Sequence, residues 1–85
     1  MSLKASLQHL ITHAEHVIEQ LKTAKPDEEA AVTDIESAIS QGRSALTKFS
    51  SGGIENELDA VKGALSALGQ LVQALKNAYS IIHKQ

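Results

Sequence analysis

Three histidines, His9, His13 and His16, fall at i, i+4 and i+7 near the start of the chain, and no other residues are better placed to do chemistry. On a helix this spacing sets the imidazoles along one strip, and imidazoles one turn apart can share zinc or another borderline metal. The chain contains no cysteine, which excludes a thiolate ligand, a thiolate nucleophile and a disulfide framework together. Only Glu15 and Glu19 stand near enough to complete a ligand set, and both do so awkwardly. The strip lies opposite the apolar residues Leu7, Leu10, Ala14 and Val17, hence towards solvent. The simpler expectation is an exposed polar face, with no metal site and no cofactor. His9, His13 and His16 remain the candidates for a metal- or pH-responsive role.

Catalytic arrangements are weaker still. Thr12, His16 and Glu19 approximate a nucleophile, base and carboxylate along one helix. A convex helix surface offers them neither an oxyanion hole nor a substrate cleft. Gly52-Gly53 lacks the lysine or third glycine of a phosphate-binding loop. No catalytic residue is expected, and the chain is not expected to be an enzyme. Ser37, Ser40, Ser44, Thr47 and Ser51 form a further strip of small hydroxyl residues. It reads either as a weakly charged surface or as a face where another helix can approach closely.

The elements that position these residues follow from two breaks in the chain. Pro26 disfavours a helical residue before it and suits the first turn of a new helix. In Ser50-Ser51-Gly52-Gly53 the glycines end a helix and Ser51 offers an N-cap for the next. Three helical segments result, at about 3–24, 27–49 and 53–84, in a single domain covering 1–85. Apolar residues recur in each at alternating steps of three and four. The first has Leu3, Leu7, Leu10, Ala14, Val17, Leu21 and Ala24, widened by Ile11 and Ile18. The second has Val32, Ile35, Ile39, Gly42, Leu46 and Phe49. The third runs unbroken through Ile54, Leu58, Val61, Leu65, Leu68, Val72, Leu75, Tyr79 and Ile82. That period is the seam of a coiled coil. Short loops make sequential helices antiparallel, so the expected fold is an all-α, up-down-up three-helix bundle with heptad packing and a long third helix.

The third segment also carries a face of small residues, Ala60, Ala64, Ala67, Leu71, Ala74 and Ala78, which implies a second packing neighbour. It is longer than its companions as well, at roughly 46 Å against roughly 33 Å. If it starts level with the end of the second helix, its last turns overrun the bundle. That expectation makes Leu75, Tyr79, Ile81 and Ile82 the candidate partner interface, unless a bend at Gly63 or Gly69 folds the end back.

Asp59-Ala60-Val61-Lys62-Gly63, followed by Leu68-Gly69, resembles the helix of histidine phosphotransfer domains. Asp59 stands where that family carries its phosphorylated histidine, so the resemblance does not imply phosphotransfer. Phe49-Ser50-Ser51-Gly52 is similar to the turn of small secreted helical hairpins, but without their tryptophan and with a third helix added.

Charge narrows the partners. The formal net charge is -2 over 85 residues, and no basic field exists to neutralise phosphates. Nucleic acid is therefore not expected. The acids Asp27, Glu28, Glu29, Asp34 and Glu36 gather at one helix start and Glu55, Glu57 and Asp59 at the next. Lys22 and Lys25, Arg43 and Lys48, and Lys76 and Lys84 fall near helix ends, as helix dipoles favour. No apolar run reaches the roughly 20 residues that span a bilayer, and the first residues lack a signal-peptide pattern. A soluble protein, cytoplasmic by default, is expected. Its work would be protein–protein interaction or structural assembly, with a protein partner or a second copy engaged through the third helix.

Overall fold

A computed structural model describes residues 2–51 and 53–83, with side chains described for all of them except 51 and 54–56. Expectations placed on Gly52, Lys84 and the side chains of Ser51, Ile54 and Glu55 lie outside these residues. Among the described residues there are three α-helices, α1 (Leu3–Ala24), α2 (Glu29–Ser51) and α3 (Ile54–His83), packed as an up-down-up bundle. No helix among the described residues is long and apolar enough to cross a membrane.

Local chemistry sets the helix ends. Ser2 caps α1: its side-chain oxygen accepts a hydrogen bond from the Ala5 amide at 3.0 Å, satisfying one of the first-turn donors. The Lys25 amide closes α1 by donating to the Leu21 carbonyl at 2.7 Å. A turn through Pro26 and Asp27 follows, tied by the Glu28 amide to the Lys25 carbonyl at 3.0 Å. The proline therefore lies in the turn rather than inside the second helix, and α2 starts at Glu29. At the other break α2 runs to Ser51. Gly53 carries the reversal at φ 84, in the left-handed region that an L side chain rarely adopts. Its carbonyl accepts from the Glu57 amide at 3.0 Å, inside the first turn of α3. That helix then runs unbroken through Gly63 and Gly69.

The core takes one face from each helix. From α1 come Leu7, Ile11, Ala14, Val17, Ile18 and Leu21, all buried. From α2 come Ile35, Ala38, Ile39 and Ala45, with Gly42 between them where α1 crosses. A Cβ placed on Gly42 would stand 2.9 Å from Ile11 Cδ1 and 3.3 Å from Leu7 Cδ1, so any larger residue would make the ends of these side chains shift. The most extensive helix pair is α2 with α3. There small residues face small residues, and a Cβ on Gly63 would lie 3.5 Å from that of Ala45.

On α3 the buried face is the alanine one. Ala60, Ala64, Ala67, Leu71 and Ala78 have no exposed surface, and Ala74 and Leu75 have almost none. The alanine face thus packs as expected of a second packing face, whereas the Leu/Val seam, also expected to pack inward, does so only at Leu75 and in part at Leu68 and Ile82. The molecule measures 47 × 22 × 15 Å with a radius of gyration of 13.8 Å. A compact chain of this length would have roughly 12 Å. The long axis matches the roughly 45 Å of a helix with the 30 residues of α3.

Candidate functional site

The feature that departs most from a self-contained bundle is a stripe along α3. Leu58, Leu65, Val72 and Tyr79 recur every seven residues, and Val61 lies beside them. Their exposures are 59, 58, 41, 36 and 38 % in that order. These were seam positions in the sequence, expected to pack inward. The seam divides instead. Leu75 is buried and Leu68 and Ile82 half-buried against the core, while the positions one step round the helix stay open. At 100° per residue, the apolar arc of α3 spans roughly 200°, more than two neighbours in a three-helix bundle cover.

The length mismatch is settled differently from the expectation. Thr23 and Ala24 at the end of α1 line a shallow groove together with Ile82 and His83 at the end of α3. Alpha1 is thus displaced towards the C-terminal half of α3, because the turn through Pro26 starts α2 near that end. Of the residues expected to overrun, Leu75 is 5 % exposed, and Ile81 and Ile82 are half-buried against the core. Tyr79 is the one that remains open. The uncovered length lies instead in the first half of α3, around Leu58, Val61 and Leu65.

His9, His13 and His16 are all exposed on α1, and with Gln8 and Thr12 they line an open depression. They do not converge on a metal geometry. Among the described residues, no group of three or more His, Cys, Asp or Glu side chains is placed to hold an ion. His13 turns to α3, where its Nε2 and the Tyr79 hydroxyl share a hydrogen bond. The two rings lie 6.0 Å apart at 42°, and His83 stacks beyond Tyr79 at 6.3 Å and 29°. This contact across 66 positions pins the C-terminal part of the stripe to α1.

The nucleophile-like set is not assembled. Thr12 donates its hydroxyl hydrogen bond to the Gln8 carbonyl at 3.1 Å, within its own helix. Ser37, Ser40, Ser44 and Thr47 are exposed on α2, with Ser40, Ser44 and Thr47 beside the groove between α1 and α2. Across that groove Arg43 pairs with Glu15, both side chains at least half exposed. An ion pair in that setting contributes about 0.2–1 kcal/mol.

Leu58, Val61, Leu65 and Val72 as an open surface were missed by sequence reasoning. The signal was present in Ala38 and Ala45 on α2, small residues spaced to receive the alanines of α3. Comparison with known proteins finds no match, whether to a family model, a curated protein or a solved structure.

Proposed function

We propose that this protein is a non-enzymatic assembly subunit that associates with a second copy of itself through α3. What supports the reading is which side of that helix stays open. Burying a Leu or Val side chain stabilises a fold by about 1.5–3 kcal/mol, considerably more than burying an alanine methyl. A chain shaped only for its own monomer would turn Leu58, Leu65 and Val72 inward. Here the alanines are inside and the larger residues face out. The open side chains present on the order of 400 Å² of apolar surface, at the scale where patches on small proteins are commonly functional.

The area is also adequate for a dimer. Protein interfaces are about 60 % apolar, so a patch of this size implies roughly 700 Å² per copy. A standard stable interface buries about 800 Å² per partner. A second copy brings the same stripe and the same need to cover it, which a closed twofold contact satisfies at once.

Sedimentation equilibrium tests the reading. The unaltered chain is expected at twice its 9.1 kDa mass at micromolar concentration. The Leu65→Glu/Val72→Glu double variant is expected at the single-chain mass with helical circular dichroism retained. An unaltered chain at 9.1 kDa up to a hundred micromolar would overturn it.

A further inference from the structure

We propose that the groove between the C-terminal ends of α1 and α3 is a binding site for a small organic ammonium ion that carries an apolar group.

Helices α1 and α3 run in the same direction, so their C-termini lie at one end of the bundle. Thr23 and Ala24 in the last turn of α1 and Ile82 and His83 in the last turn of α3 line one groove. The last carbonyls of a helix have no partner within it and together carry roughly half a negative charge. Among the described residues lining the groove, the Glu19 carboxylate is the one permanently charged group above the imidazole range. Lys22, in the last turn of α1, is not among the residues that line it. Two helix ends and a carboxylate therefore act with one sign, and a cation entering here is favoured by all three.

The rest of the lining selects the kind of cation. Tyr79 and His83 stack with ring centroids 6.3 Å apart at 29°, and both border the groove. The negative face of an aromatic ring attracts an ammonium within about 6 Å of its centre, in the same sense as Glu19. Ile82, half-buried, and Ala24 offer apolar contact beside the rings. A hydrated metal ion would find one carboxylate and gain nothing from these side chains. An alkyl group on the nitrogen would cover them. The other grooves lack this combination. The one beside Arg43 mixes both signs of charge, with Glu15 and Glu36, and the depression at His9, His13 and His16 has no carboxylate.

Tyr79 is the only tyrosine and the chain has no tryptophan, so intrinsic fluorescence reports on the groove itself. The probe is cyclohexylmethylammonium, which does not absorb in that range, titrated at pH 8 and fixed ionic strength. Its neutral alcohol and the carboxylate of matching size serve as comparisons. The ammonium is expected to give a saturable change by about 10 mM, an affinity within reach of so small a ligand. The alcohol and the carboxylate should bind about fivefold more weakly, lacking the charge that Glu19 and the rings favour. Glu19→Gln, at an exposed position, should weaken the ammonium about threefold and leave the alcohol unchanged. No saturable change, equal affinity for carboxylate and ammonium, or an ammonium affinity indifferent to Glu19→Gln would each overturn the site. Sedimentation of the same samples keeps this separate from self-association. Saturable ammonium binding by a chain that stays at 9.1 kDa would support the site and overturn the dimer alone.

Discussion

Glycine has three separate reasons to be where it is in this chain, and they separate by what a methyl group would meet. At Gly53 the constraint is the backbone itself, since φ 84 is strained for any L side chain. At Gly42 it is the neighbour, with Ile11 Cδ1 2.9 Å from a Cβ placed there. Gly42→Val should therefore overpack the α1–α2 contact and lower the unfolding free energy by about 1–3 kcal/mol, read as a reduced urea midpoint with an unchanged slope. At Gly69 the space is empty. All three look alike in the sequence, because a residue type does not record the distance to a helix many positions away. The histidines make the same point. Their shared strip was legible from spacing, but His13 turning to Tyr79 required α3 to lie alongside α1.

Helices as elements were largely readable. The steps of three and four placed three helices within a few residues of where they occur, because amphipathic periodicity and turn chemistry are local. Which face of α3 turns inward was not readable from that helix alone. Both of its faces are apolar, and the choice depends on what α2 presents. Alpha2 offers Ala38 and Ala45, so a smooth alanine face packs more closely against it than a ridge of leucines would. Adjacent residues should then respond oppositely to change. Ala64→Leu, at a site with no exposed surface, should cost about 1–3 kcal/mol by forcing α2 and α3 apart. Leu65→Ala, measured by denaturant melts at concentrations low enough for single chains, should shift stability by no more than about 0.5 kcal/mol.

At the scale of the whole molecule, a core in which nearly half of the buried apolar residues are alanines is thin for 85 residues, and association would supplement it. The proposed dimer adds burial where the monomer is most open. Its apolar contact predicts that salt favours it. Raising sodium chloride from about 50 to 500 mM should lower the dissociation constant, by strengthening apolar burial. Sedimentation across that range checks the sign. A dissociation constant that rose with salt would point to opposite charges at the contact instead.

The sequence by itself determined the helices, their number, their order and the up-down-up path, because each depends on neighbours a few positions apart. It also marked α3 as a helix with more apolar surface than two companions can cover. Only the tertiary structure decided where that surplus lies. The turn at Pro26 starts α2 near the far end of α3, which draws α1 over the last turns that had been expected to stand free. The small residues of α2 took the alanine face. Both outcomes come from contacts between segments distant in the chain, where close packing of shapes, rather than hydrophobic spacing, sets which side of a helix meets its neighbour.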